Sequence, residues 1–275
     1  VAIAGEEGGM GPPVVLLHGL TATRRYVTMG SRLLERRGYR LIAYDARGHG
    51  ESGPAPDRAA YEYRDLMSDL GAVLEGLEVG RTVLVGSSMG AATAVAYALD
   101  APERVAALVL STPAYRGAPH DDPAEALAWE ALADGLEVGG VEGFMEAVRF
   151  RGDPRWRDSF LRLTRQRLER HRHPAAVANA LRVVPRSAAF EGLEALQAVR
   201  APTLVVASRD EADPEHPLAV AEAYVERLPD AELAVEEPGR PPLAWRGSQL
   251  SRTIADFLER RVPDFASVAE PPGRS

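Results

Sequence analysis

The chain is expected to fold as an α/β protein, a mainly parallel sheet flanked by helices with an all-helical insertion, and three observations carry that expectation. Short aliphatic runs, Val14 to Leu17, Leu41 to Tyr44, Thr82 to Val85 and Val105 to Leu110, alternate with stretches of helical spacing. One junction, Gly86-Ser87-Ser88-Met89-Gly90, is a G-x-S-x-G turn between a buried strand and the helix-forming run Ala91 to Leu99. From about Ala114 to Leu196 the alternation stops and the sequence reads as helix, with turns at Gly139-Gly140, Gly152-Asp153-Pro154 and His173-Pro174. The expected division is a core of residues 1–113 and 197–275 and a helical cap, or lid, of residues 114–196.

Composition narrows the function. A chain of 275 residues, 45% hydrophobic and 26% charged, fits one large domain with an insertion better than two domains. No apolar run approaches a membrane span and no signal peptide opens the sequence, so a soluble, cytoplasmic protein with no membrane partner is expected. The absence of cysteine excludes disulfides, thiolate nucleophiles and Cys-ligated zinc. All 32 basic residues are arginine, which excludes Schiff-base chemistry through lysine. A net charge of -8 argues against a nucleic-acid-binding face.

The elements follow in order. Val14 to Leu17 is a strand ending in His18-Gly19-Leu20. A helix is expected from Tyr26 to Arg37, closed by Gly38, then the strand Leu41 to Tyr44 and the turn Asp45-Ala46-Arg47-Gly48-His49-Gly50-Glu51-Ser52. Tyr61 to Leu77 reads as an amphipathic helix with Leu66, Leu70, Val73, Leu74 and Leu77 on its apolar face. Past the insertion come the strand Pro202 to Ala207, an acidic loop Ser208 to Pro217, a helix to Arg227, the strand Glu232 to Val235 and a last helix Gln249 to Arg261. The tail after Val262 is expected to fray.

The G-x-S-x-G turn, the His-Gly segment after the first strand and the D-x-R-G-x-G-x-S turn together resemble the α/β-hydrolase superfamily over nearly the whole chain, with the serine esterases and lactonases as the closest type. The resemblance makes Ser88 the nucleophile and assigns the N–H groups of Leu20 and Met89 to an oxyanion hole. His18 and His49 are then scaffold, with Asp45 and Arg47 bracing the turn. A serine at this position, rather than an aspartate, argues against epoxide hydrolases and haloalkane dehalogenases. The implied activity is hydrolysis of a small carboxylic ester, lactone or thioester through an acyl-enzyme, with no metal and no organic cofactor.

Serine needs a neutral imidazole to take its proton, and the imidazole needs a carboxylate to fix its tautomer. Family members carry the acid after the strand that here ends at Ala207, which favours Asp210, with Glu211 as its rival and Asp213 behind both. They carry the histidine after the final strand, where this chain has Arg240 and Pro241. Arginine stays protonated and is no base. Three readings stay open: His216 supplies the imidazole from an unusual position, His120 reaches down from the insertion, or there is no base. In the last case the protein is a slow esterase driven by the oxyanion hole alone, or a degenerate or non-hydrolytic member that binds a small molecule. Phe144, Phe150, Trp156, Phe160 and Phe190 are candidates for the insertion's own core or its pocket. His171 and His173, two apart on a helix, face different ways and make a poor metal site.

Overall fold

A computed structural model describes residues 1–263 and 265; the expected fraying of the tail lies outside that range except for the few residues next to Val262. Seven strands form one sheet: β1 (Gly5–Gly8), β2 (Pro13–Leu17), β3 (Arg40–Tyr44), β4 (Thr82–Ser87), β5 (Val105–Ser111), β6 (Thr203–Ala207) and β7 (Ala231–Val235). Their order is β1-β3-β2-β4-β5-β6-β7, parallel except for β1, which runs antiparallel to β3. The helices are α1 (Leu33–Arg36), α2 (Tyr63–Gly76), α3 (Met89–Asp100), α4 (Pro123–Ala147), α5 (Pro154–Leu168), α6 (Pro174–Val183), α7 (Leu218–Arg227) and α8 (Gly247–Arg261).

Strand periodicity sorts the apolar residues into two layers. Val15, Leu17, Ile42, Leu84, Leu108, Leu110 and Val205 face one cluster, covered by Leu66, Leu70 and Leu74 of α2, by α3 and by Tyr224 of α7. Their neighbours Val14, Leu16, Leu41, Val83, Val85, Val109 and Leu204 face the other, covered by Leu34 of α1 and by Leu250, Ile254, Phe257 and Leu258 of α8. At about 1.5–3 kcal/mol for each fully buried large aliphatic or aromatic side chain, both faces of the sheet contribute to holding β2 and β4 in register.

That register positions the site. The chain leaves β2 for β3 on one side and returns to β4 on the other, so the order reverses between β2 and β4. Leu17 there pairs with Gly86. A crevice at such a reversal, beyond the carboxyl ends of the strands, is where open α/β sheets bind ligands.

Two expectations need correction. The Tyr26–Arg37 helix is instead a 3₁₀ turn, Arg24–Tyr26, and the short α1. Met29 and Gly30 between them have φ of 50° and 72°, which ends any right-handed helix there. The edge strand β1 has no signal in the sequence, because Gly-Glu-Glu-Gly carries no apolar alternation; beside its backbone pairing, Glu7 meets the Arg40 guanidinium of β3 at 2.7 Å.

Between β5 and β6 the chain is helical, as expected. Asp122 and Asp153 cap α4 and α5 by accepting the N–H groups of Ala124 and Arg155, each followed by a proline at the first helical position. Gly140, with φ 60°, kinks α4. Ala133, Leu136, Phe144, Leu168, Val177, Ala178 and Leu181 form this segment's own core, and Leu20 of the β2 loop packs against it. Of the other aromatics, Phe150 pairs with Phe160, Trp156 with Trp245, and Phe190 with Tyr115 in the main core. No described helix is long and apolar enough to cross a membrane.

Candidate active site

Ser88 stands where β4 gives way to α3, with φ 51° and ψ -110°, a conformation that persists only where its surroundings over-determine it. Its N–H donates to the Ser111 carbonyl at 3.0 Å, and its own carbonyl accepts from Ala91 at 2.9 Å and Ala92 at 3.1 Å. The flanks must lack side chains. A Cβ at Gly86 would lie 2.2 Å from the Gly90 carbonyl oxygen, and one at Gly90 2.2 Å from that of Leu17.

His216 Nε2 lies 3.0 Å from Ser88 Oγ, and His216 Nδ1 lies 2.9 Å from Asp213 Oδ1. The imidazole partner of Ser88 is therefore the residue six beyond Asp210, and the carboxylate beside it is Asp213, where the sequence favoured Asp210. Asp210 is exposed and caps α7, its Oδ1 accepting the Leu218 N–H at 2.7 Å. Glu211 accepts the Gly239 N–H at 3.2 Å and lies 3.8 Å from the Arg155 guanidinium. The path of the loop explains the change. Arg209 is tied to Glu236 by its N–H at 2.7 Å and its Nε at 3.0 Å. The N–H groups of Ala212 and Asp213 then both donate to the Arg209 carbonyl, and that of His216 to the Asp213 carbonyl. This turn leaves Asp210 outside and Asp213 only 7% exposed. His120 is engaged elsewhere: its ring pairs with Glu125 and its N–H donates to Pro185.

The two partners shift each other in opposite senses. Burial works to lower the His216 pKa, but the charge and hydrogen bond of Asp213 outweigh it and hold the imidazole above its ordinary value. Burial works to raise Asp213, but the charge and hydrogen bond of His216, with the Arg167 guanidinium nearby, keep its carboxyl below its ordinary value.

The loop after β2 lies against the same serine: a Cβ at Gly19 would meet Ser88 Cβ at 3.4 Å. Met89 is the first residue of α3, so its N–H is one of the donors a helix start leaves free. Among the described residues the Leu20 N–H has no recorded acceptor. His18 is 2% exposed; its Nδ1 donates to the Gly19 carbonyl at 2.8 Å and its Nε2 accepts from Ala46 at 2.9 Å, which fixes a neutral tautomer. Burial first, then the neighbouring His49, lowers its pKa to about 3. The turn after β3 is braced as expected. Asp45 accepts the N–H groups of Arg24 at 2.8 Å and Glu51 at 3.0 Å, and Arg47 makes a two-pronged contact with Asp69 at 2.7 and 2.8 Å.

The chain has relatives among known proteins. The chain is 28% identical to the "Putative carbamate hydrolase RutD" of Variovorax paradoxus over 91% of its own length and 92% of that protein. It is 38% identical to the "Putative non-heme haloperoxidase" of Mycobacterium phage D29 over 115 residues, spanning only 40% of that protein. The solved structure of Est816, described as an N-acyl homoserine lactone degrading enzyme, superposes with a TM-score of 0.74 at 25% identity, over 93% of this chain and 96% of the other. Residues 12–209 match the family model of the alpha/beta hydrolase fold, and the chain belongs to that family.

Proposed function

We propose that the protein is a serine hydrolase that cleaves a small carboxylic ester, lactone or thioester through an acyl-enzyme on Ser88. The observation that carries this reading is the hydrogen-bonded chain from Ser88 Oγ through His216 to Asp213. His216 Nε2 takes the hydroxyl proton as Oγ attacks the carbonyl carbon, and Asp213 holds the Nδ1–H tautomer and stabilises the cation. The N–H groups of Leu20 and Met89 donate hydrogen bonds to the carbonyl oxygen as negative charge develops on it. The imidazolium gives its proton to the leaving group, and water, deprotonated by the same imidazole, releases the acyl group. The helical segment 114–196 serves as the cap that shapes the acyl pocket. Relatives named for lactone and carbamate hydrolysis support an acyl substrate. The reading without a base starts from the histidine absent beside Arg240, and the placement of His216 beside Ser88 supports the reading with one.

The test is stopped-flow release of p-nitrophenol from short-chain p-nitrophenyl esters, with mass spectrometry of the quenched protein. Turnover through an acyl group on Ser88, absent from Ser88→Ala, is expected. Failure of every ester, lactone and thioester tried to acylate Ser88 would sink the proposal.

A further inference from the structure

Three successive carbonyls of the β2 loop each face a nitrogen of a different histidine. His18 Nδ1 donates to Gly19 O at 2.8 Å, His49 Nε2 lies 2.7 Å from Leu20 O, and His171 Nε2 donates to Thr21 O at 3.2 Å. The second nitrogen of each ring engages the turn after β3. His18 Nε2 accepts from Ala46 N at 2.9 Å, His49 Nδ1 lies 2.9 Å from Arg47 O, and His171 Nδ1 accepts from Gly50 N at 2.8 Å. The rings stand in a row, with centroids 5.1 Å and 5.5 Å apart, and are 2%, 0% and 8% exposed. Burial keeps His49 neutral with a single N–H, which donates to Leu20 O or to Arg47 O; with that proton on Nε2 the three rings form a ladder whose rungs tie residues 19–21 to residues 46–50.

Two rungs belong to the core. The third, His171, comes from the segment between α5 and α6, and the adjacent Arg172 N–H donates to Gly50 O at 2.9 Å. In a trans peptide the C=O and the following N–H point opposite ways, so the Gly19 carbonyl, held by His18 Nδ1 and by the Ala22 N–H at 2.9 Å, aims the Leu20 N–H. Holding the next two carbonyls stops that peptide from rotating with its neighbours.

We propose that His171 is a positioning residue through which the helical insertion braces the loop carrying the Leu20 N–H, so that this loop is fully held only while the insertion is seated. This rests on the serine-hydrolase reading for its catalytic consequence, though the coupling of insertion to loop does not. His171 touches no reacting atom. It acts through Thr21 and Leu20, and an insertion that swings away to admit substrate leaves the loop with two rungs of three.

The experiment compares His171→Gln with His171→Asn. The glutamine amide nitrogen reaches the place of Nε2 and can donate to Thr21 O. The asparagine amide stops at the place of Nδ1, where it can accept from Gly50 but not reach Thr21. Expected for His171→Asn is a kcat about tenfold lower with KM within about twofold, below the 10²–10³ that follows loss of an oxyanion donor itself. A boronic acid that forms a tetrahedral adduct with Ser88 should weaken by the same factor as kcat/KM, while binding of the carboxylic acid product stays as in wild type. His171→Gln should recover most of both. Amide hydrogen exchange of the peptide spanning residues 19–23 should speed up in His171→Asn and not in His171→Gln, and it reads the coupling without turnover. Exchange and kcat alike in wild type, Asn and Gln variants would overturn the proposal, as would equal losses in both variants. Faster exchange with unchanged kcat and boronate affinity would overturn the positioning role. Absence of any acylation of wild-type Ser88 instead defeats the hydrolase reading, and exchange then decides the coupling by itself.

Discussion

Two loops leave the same edge of the sheet, one after β6 and one after β7, and they differ in what they present to Ser88. The first folds back on Arg209, buries Asp213 and places His216 Nε2 3.0 Å from the serine oxygen. The second, where family resemblance leads one to look for the histidine, is exposed from Glu237 to Pro241 and turns on itself through the Arg240 N–H to Glu237. On the proposed reading, a base and its orienting carboxylate three residues apart on one loop need no alignment between two loops. What the chemistry requires is an imidazole at one point in space, and the chain can deliver it from either loop.

The largest effect that would break this contrast is loss of the base. His216→Ala should lower kcat/KM for an ester by about the same factor as Ser88→Ala, of order 10⁴–10⁶, since either change disables one unit. Hydrolysis by His216→Ala within tenfold of wild type would mean that the imidazole works from elsewhere. The acids come next. Asp213→Asn should cost about 10³–10⁴ in kcat, because the amide leaves the ring in the wrong tautomer. Asp210→Asn should leave kcat almost untouched. If Asp210→Asn proved the more damaging in parallel assays, the pairing described above would be wrong.

The pH dependence sharpens the same point. Only neutral His216 accepts a proton, so kcat/KM should rise with pH and level off above the histidine's pKa. With Asp213 present that inflection is expected above the ordinary ~6.5, because the carboxylate favours the cation. In Asp213→Asn the opposing effect of burial is left, and the inflection of the residual activity should fall. An inflection that does not move would show that another group controls the rate.

The sequence made the sheet legible because each central strand is apolar on both faces, and Ser88 legible because its turn tolerates no side chain at Gly86 or Gly90. The polar sequence of β1 hides it, and apolar positions at helical spacing closed by Gly38 suggest a Tyr26–Arg37 helix although Met29 and Gly30 break it. In the sequence Asp213 stands behind Asp210, because loop length alone does not tell which acid turns inward. That choice depends on the contact of Arg209 with Glu236, 27 residues away. The spacing Asp213-x-x-His216 was the available signal, since residues three apart in a tight turn share a side. Nothing local marked His171, whose partners Gly50 and Thr21 lie 121 and 150 residues away.

The smallest expected effect concerns the slot the histidine does not occupy. Arg240 is exposed, and its recorded hydrogen bond is a backbone one to Glu237, so Arg240→Ala removes only a solvated side chain. Surface changes of that kind alter stability little, and kcat/KM for a neutral ester should stay within about twofold of wild type, with an unchanged pH profile. The variant is informative because it is placed where the wider family would suffer most. A loss of a hundredfold would assign the loop after β7 a part in the chemistry, and the single-loop arrangement of acid and base would then be incomplete. An unchanged rate would leave that loop free to vary and would support the proposal that the β6–α7 loop supplies both groups by itself.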